Sequence, residues 1–191
     1  YGPIPIPTLE DLKNPLDEVI EPRATQEEMT NFIETELTES LKGLPTRTTQ
    51  FGRFDKGLAY TILMKYYMHE KNWAKAEECG RELLKAEYGY GLMDRYADIF
   101  TLENEGNKEI IFACTEERGT NLQLWHDHAL PGNYPTKNAS IQKWDGYKVP
   151  WPFYRTFEEG DDRLSVLVGE YVGTDGVLFN EESDIAKHGN L

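Results

Sequence analysis

The segment 121–151 combines aromatic rings with side-chain amides and carboxylates. The rings belong to Trp125, Tyr134, Trp144, Tyr147 and Trp151, and the polar groups to Asn121, Gln123, Asp127, Asn133, Asn138 and Asp145. Sugar rings present apolar C–H faces and hydroxyls in the ring plane, so flat aromatic rings beside hydrogen-bonding side chains suit them. This mixture predicts a carbohydrate-binding surface.

The candidate ligand-binding residues within this segment are Trp125, Trp144, Tyr147, Tyr134, Asn121 and Asp127. Trp125 and Trp144 are the stronger candidates, because their polar and glycine neighbours predict exposed segments. Trp151 lies between two prolines, just before a predicted helix, and is interpreted as a packing anchor. Each ring stacked on a sugar would contribute on the order of 1 kcal/mol. Two or three such contacts with hydrogen bonds predict dissociation constants from roughly micromolar to millimolar.

The cluster His126-Asp127-His128 has side chains that can bind metal or transfer protons. In an extended segment, His126 and His128 would point the same way and could share a metal ion. Two imidazoles without a further spaced ligand fall short of a zinc signature, so a solvated polar loop tip is the favoured interpretation. A metal-dependent hydrolase built on the two histidines stays open as an alternative.

The acidic turn 158–163 is a second charged cluster. Asp161-Asp162-Arg163 is interpreted as a capped turn with local ion pairing. Glu158 and Glu159 could join Asp161 around calcium, although their spacing does not match an EF-hand loop. The sequence contains no nucleophile elbow, phosphate loop or dinucleotide fingerprint. We therefore expect neither catalysis nor a cofactor.

A helical hairpin is the clearest of the elements that must position these residues. Two apolar stripes of 3.6-residue period flank the corner Asn72-Trp73, and they comprise Leu58, Ala59, Ile62, Leu63, Tyr66 and Tyr67, then Trp73, Ala76, Cys79, Gly80, Leu83 and Leu84. The pattern is typical of a tetratricopeptide hairpin. We expect Trp73 to fill the open end of the hairpin and Tyr67 to pack across it.

Other elements are predicted on both sides of this hairpin. A helix capped by Thr25 and Glu28 runs to Pro45 after a proline-rich start, with a buried stripe of Met29, Phe32, Ile33, Leu37, Leu41 and Leu44. A short helix is expected over 92–100, with Leu92, Tyr96, Ile99 and Phe100 inward. Strands are predicted at 109–115, 166–172 and 176–179, and a helix at 152–158. The expected fold is mainly α, with tetratricopeptide-like helical hairpins, long loops and a few short strands.

Composition limits the classes of partner. With 34 acidic residues against 20 Lys and Arg, the net charge of −14 would repel phosphate backbones, so we expect no nucleic acid partner. No apolar run reaches the roughly 18 to 20 residues of a membrane-spanning helix. Cys79 and Cys114 both occupy apolar positions, which predicts buried free thiols.

A series of motifs follows in a fixed order along the chain. They are Tyr1-Gly-Pro-Ile-Pro-Ile, the helix ending in Leu44-Pro45, Gly52-Arg-Phe-Asp-Lys-Gly-Leu-Ala59, Asn72-Trp-Ala-Lys-Ala76, Tyr88, Leu92, Tyr96, Phe100, Asn107-Lys-Glu-Ile-Ile-Phe112 and Phe157-Glu-Glu-Gly-Asp-Asp-Arg-Leu164. In this order they resemble the SusD/RagB family of Bacteroidetes surface lipoproteins. The resemblance covers nearly the whole chain.

The resemblance implies an α-rich scaffold of tetratricopeptide-like hairpins whose long loops form a glycan-binding face. It also implies docking on a SusC-type TonB-dependent transporter at the outer surface of the outer membrane. The family's lipid-bearing cysteine, N-terminal helices and C-terminal part have no counterpart here. We therefore expect the central part of a SusD-like domain, with a helical core over 25–102 and a strand with ligand-facing loops over 103–191. Membrane contact is expected only through a lipid anchor outside this chain.

A tetratricopeptide-like adaptor for a peptide or protein is the alternative function. It is motivated by the hairpin alone, through the faces of Tyr60, Tyr67 and Gly80. Peptide-binding repeats prefer a small residue where Met64 stands and an aromatic residue where Gly80 stands. These departures weaken the adaptor interpretation.

Overall fold

Helices account for most of the regular structure. A computed structural model describes residues 2–13, 16, 21–116, 125–137 and 141–188, and for Trp125 and His126 it describes the backbone only. Within these ranges there are six α-helices, five short 3-10 helices and one two-stranded sheet. The prediction of a mainly α fold with a few short strands is confirmed.

The chain forms two compact units. The first contains Tyr1–Gly91 and Lys108–Ala113, and the second contains Leu92–Asn107 and Cys114–Leu191. The division into a helical core over 25–102 and ligand-facing loops over 103–191 stays a prediction.

Helix α1, Gln26–Gly43, begins at a complete capping box. The Glu28 amide donates to Thr25 Oγ1 at 3.2 Å, and the Thr25 amide donates to the Glu28 carboxylate at 2.7 Å. These bonds satisfy amides that have no partner within the helix, so the predicted start is confirmed. The predicted buried stripe is wrong for Phe32, which is exposed, and no residue of α1 is fully buried.

Helices α2, Lys56–His69, and α3, Trp73–Leu83, form the predicted hairpin. The Lys75 amide donates to the Asn72 side chain at 3.3 Å, which caps α3 at the corner. The core comprises Leu63, Tyr67, Ala76 and Cys79, and Leu37 and Leu41 of α1 pack against it. Helix α1 therefore covers the hairpin, and the predicted burial of Cys79 is confirmed.

Trp73 does not fill the open end of the hairpin, and that prediction is wrong. Its side chain is 62% exposed, and Leu84 at the other end of α3 is 82% exposed. An ion pair covers Tyr67 instead. Lys75 Nζ lies 5.0 Å from the centre of the Tyr67 ring and 2.9 Å from Glu34 Oε1 of α1. The aliphatic part of a lysine can cover an aromatic ring while its charge stays hydrated.

The structure differs from the predictions made between residues 92 and 115. The predicted helix is a 3-10 helix, Tyr96–Phe100, with Leu92 and Phe100 exposed. The predicted strand at 109–115 is irregular, and Cys114 is exposed rather than buried. A strand needs a neighbouring strand to bond its amides and carbonyls, and the described residues provide none for this segment.

The second unit contains helices α4, Trp125–Ala129, α5, Trp151–Tyr154, and α6, Glu181–His188. Strands β1, Tyr171–Val172, and β2, Leu178–Phe179, pair antiparallel, with Tyr171 opposite Phe179. The strands and α5 are therefore shorter than predicted, and α6 was not predicted.

Trp151 connects three of these elements. Its indole nitrogen donates to the Asp184 carboxylate of α6 at 2.7 Å, and its ring stacks on Phe179 of β2 at 6.4 Å. The prediction that Trp151 is a packing anchor is confirmed. None of the helices in the described ranges combines the length and apolar character that a membrane crossing requires.

Candidate functional site

Residues 144–147 are bound to the end of α4 by four backbone hydrogen bonds, and we call them the strap. The Trp144 amide donates to the Asp127 carbonyl at 2.6 Å, and the Asp145 amide to the Leu130 carbonyl at 3.1 Å. The amides of Gly146 and Tyr147 both donate to the His128 carbonyl, at 2.6 and 2.8 Å. The last carbonyls of a helix lack partners within it, so the strap satisfies groups that α4 leaves unpaired.

The strap requires an unusual backbone at its centre. Asp145 has a φ of 55°, in the left-handed region that Asp and Asn tolerate better than most residues. Gly146 follows, and a Cβ atom there would lie 3.3 Å from the His128 carbonyl oxygen. The pair Asp145-Gly146 thus suits a tight approach of the strap to α4.

Trp144 and Tyr147 present exposed rings from the two ends of the strap, and we call these two rings the platform. Trp144 is 47% exposed and Tyr147 is 57% exposed. The half-buried imidazole of His128 contacts both rings. Its centre lies 4.7 Å from that of Trp144, nearly perpendicular to it, and 5.3 Å from that of Tyr147. Edge-to-face and tilted contacts of this kind are favourable between aromatic rings.

The charged groups next to the platform are paired within the chain. Lys148 Nζ lies 3.1 Å from Asp145 Oδ2, and Lys143 Nζ donates to the Tyr134 carbonyl at 2.7 Å. Asp127 is only 3% exposed. The platform therefore offers apolar ring surface next to the Lys148–Asp145 ion pair.

Tyr134 lies against the strand pair. Its ring meets that of Tyr171 at 5.0 Å, and the Tyr171 hydroxyl donates to the Asn133 side-chain oxygen at 2.9 Å. The Thr174 amide donates to the Asn133 carbonyl at 2.9 Å, which attaches this loop to the β1–β2 turn. Burial is the largest cause that raises the pKa of Tyr171, and the negative charge of Asp145 raises it further. Its hydroxyl is therefore a protonated donor at neutral pH.

The predicted site residues do not all lie in one place. Trp144 and Tyr147 lie together on the exposed platform, and Tyr134 is half-buried against the strands. Asp127 lies beneath the strap and does not face solvent. Trp125 begins α4, where only its backbone is described, and Asn121 is outside the described residues. The role of these residues in ligand binding stays a prediction.

His128 is the residue whose structural role the sequence analysis missed. The prediction of a solvated loop tip is wrong, because Asp127 is buried and His128 packs between two rings. The metal alternative assumed an extended segment, but 126–128 lies in α4, and residues two apart on a helix do not face each other. Among the described residues, no three His, Cys, Asp or Glu side chains are grouped to hold a metal ion.

The acidic turn 158–163 has the predicted ion pair. The Asp161 carboxylate accepts bonds from the backbone and guanidinium of Arg163, which lowers the pKa of Asp161 to about 2. The Asp162 carboxylate accepts a 2.6 Å bond from the Tyr96 amide, which ties this turn to the 3-10 helix Tyr96–Phe100. Both aspartates are thus engaged in structural contacts.

Comparison with known proteins supports the fold assignment. No protein-family model and no curated protein matches the chain. Among solved structures it is similar to the crystal structure of a SusD-like protein from Bacteroides fragilis NCTC 9343, with 26% identity and a TM-score of 0.52. The match covers 65% of this chain and 24% of that one. The fold is that of SusD-like proteins. This similarity supports the resemblance to SusD-like proteins that the motifs predicted.

Proposed function

We propose that this chain forms part of a non-catalytic glycan-binding protein, and that Trp144 and Tyr147 stack on sugar rings. The observation that carries the proposal is the exposure of two aromatic rings that both contact His128, on a backbone held by four hydrogen bonds. Contiguous exposed apolar surface on a protein often marks a site of interaction. The likeness to a SusD-like protein supports the choice of glycan as the ligand.

The expected affinity is modest. If each ring removes some tens of Å² of apolar surface from water, it contributes on the order of 1 kcal/mol. The strap holds both rings before binding, so less ordering is required when the ligand arrives. The dissociation constant is therefore expected between roughly micromolar and millimolar values, which suits a protein that passes its ligand on.

The SusD-like fold also supports a proposal about the cellular setting. We place the whole protein on the outer surface of the outer membrane, anchored by a lipid outside this chain. Its partner there would be a SusC-type TonB-dependent transporter that imports the captured glycan. Affinity purification of the tagged full-length protein from its native membrane tests this assembly. Recovery without any TonB-dependent transporter would contradict it.

Affinity electrophoresis tests the glycan site. The full-length protein is run in native gels containing starch, xylan, galactomannan or laminarin. Trp144→Ala and Tyr147→Ala should each weaken retention about fivefold, corresponding to about 1 kcal/mol per ring. Trp73→Ala is the matched control, because Trp73 is also an exposed tryptophan but belongs to the other unit. If all three variants are retained like the wild type, the platform does not bind glycan.

The folded hairpin gives less support to the alternative function as an adaptor than the platform gives to glycan binding. Tyr67 is 8% exposed and belongs to the core against which Leu37 and Leu41 of α1 pack. Gly80 lies against Met64, whose sulfur would be 3.5 Å from a Cβ atom at position 80. A peptide would have to displace these contacts to reach the face that tetratricopeptide repeats use.

A further inference from the structure

We propose that His128 is a positioning residue for the platform, holding the rings of Trp144 and Tyr147 in the orientation that a glycan requires. The inference rests on the proposed function, because it assigns a role to His128 within the same site. The imidazole is not itself assigned a contact with the ligand. Its role is to restrict the motion of the two rings by packing against both of them.

The His128 side chain contacts both rings of the platform. The centre of the imidazole is 4.7 Å from that of Trp144 at an interplanar angle of 76°, and 5.3 Å from that of Tyr147 at 46°. A planar ring in this position limits rotation of both neighbours. Removing it would leave a space that both exposed rings could enter.

His128 also holds the backbone that carries these rings. Its carbonyl accepts bonds from the amides of Gly146 and Tyr147, at 2.6 and 2.8 Å. The backbone bonds set the position of the strap, and the side chain sets the direction of the rings. A substitution at 128 keeps the carbonyl and removes only the side-chain contribution, so the two can be measured separately.

The expected effect follows from the cost of ordering side chains on binding. Immobilising a side chain with several rotamers typically weakens binding by about two- to tenfold. His128→Ala should therefore weaken glycan binding by about three- to tenfold, although the rings themselves remain. His128→Phe restores a planar ring without the imidazole nitrogens, and it should recover most of this loss. His69→Ala is the matched control, since the His69 side chain is 84% exposed and belongs to the other unit.

The test uses the full-length protein and two measurements. Retention is measured in whichever of the four polysaccharide gels retards the wild type most. Acrylamide quenching of Trp144 fluorescence, obtained as the difference between each variant and its Trp144→Phe counterpart, reports ring mobility without any glycan. His128→Ala should bind more weakly and be quenched more readily, and both changes should be reversed by His128→Phe. Near-ultraviolet circular dichroism verifies that each variant is folded.

Several outcomes would overturn the inference. If His128→Ala binds like the wild type while Trp144→Ala loses binding, His128 has no positioning role and the glycan site stands. If His128→Asn restores binding but His128→Phe does not, the imidazole acts through a hydrogen bond and not as a packing ring. If Trp144→Ala and Tyr147→Ala leave retention unchanged in every gel, the proposed function fails, and unchanged quenching in His128→Ala separately refutes the ring contact.

Discussion

Replacing Tyr90 with phenylalanine is expected to stabilise the protein. The Tyr90 ring stacks on Tyr88 with centres 6.0 Å apart, and the Arg47 guanidinium lies 4.8 Å from its centre. Its hydroxyl oxygen is buried and has no hydrogen-bond partner among the described residues. An unsatisfied buried hydroxyl costs about 1–3 kcal/mol, so Tyr90→Phe should raise the free energy of unfolding by about 1 kcal/mol.

Gly57, in the first turn of α2, is coupled to the same hydroxyl. A Cβ atom at position 57 would overlap Tyr90 Oη and lie 2.8 Å from Tyr90 Cζ. Gly57→Ala gains about 1 kcal/mol of helix propensity but incurs roughly 1–3 kcal/mol of overpacking. It should therefore be neutral to destabilising with Tyr90 present. With phenylalanine at 90 the closest overlap is gone, so the same substitution should cost about 1 kcal/mol less.

Urea unfolding monitored by circular dichroism measures both single variants and the double variant. Tyr88→Phe is the matched control, because the Tyr88 hydroxyl donates to Glu82 at 3.3 Å and its removal should destabilise the protein. The reasoning is refuted if Tyr90→Phe destabilises the protein as much as Tyr88→Phe does. It is also refuted if Gly57→Ala has the same effect with either residue at 90.

Three further predictions concern burial, capping and charge. Leu63→Ala in the hairpin core should lower the free energy of unfolding in urea by about 2–5 kcal/mol. Leu84→Ala, at an 82% exposed position, should change this free energy by less than about 0.5 kcal/mol, and equal losses in the two variants would contradict the assigned core. Asp55→Ala should cost about 1–2 kcal/mol in urea unfolding by removing the cap of α2. Asp55→Asn should recover only part of this loss, because one amide oxygen cannot accept from both the Leu58 and the Thr48 amides; wild-type stability of Asp55→Ala would contradict the cap. Because the pKa of Asp161 is lowered, its pairing with Arg163 stabilises the fold above about pH 4, and this stabilisation is lost as the pH falls through about 2. Carboxyl carbon NMR of Arg163→Gln should show the pKa of Asp161 rising toward 3.8. An unchanged pKa would exclude the ion pair as the cause of the shift.

The candidate site was only partly predictable from sequence. The exposure of Trp144 was predicted from its polar and glycine neighbours and is confirmed, whereas the binding role of Trp144 and Tyr147 stays a prediction. The contact of His128 with both rings was not predictable. It depends on α4 and the strap coming together, and no spacing pattern in the sequence signals that approach.

The burial of individual side chains was likewise only partly predictable from sequence. Tyr67 and Trp73 both belong to the hairpin pattern, but Tyr67 is covered and Trp73 is 62% exposed. The sequence predicted an apolar cap from Trp73, whereas the Lys75–Glu34 pair covers Tyr67. Helical periodicity identifies which face a residue occupies, but the neighbouring element decides whether that face is covered.

Local sequence was sufficient for the start of α1, the Asn72 corner and the paired helices, because capping bonds and the helical repeat involve residues within four positions of one another. Long-range contacts settled the rest. Residues 109–115 have strand-forming side chains but form no strand in the described part of the chain, since pairing requires a partner that composition does not supply. The strap and the contact of the half-buried His128 imidazole with the platform likewise exist only because residues 127–130 and 144–147 meet in space.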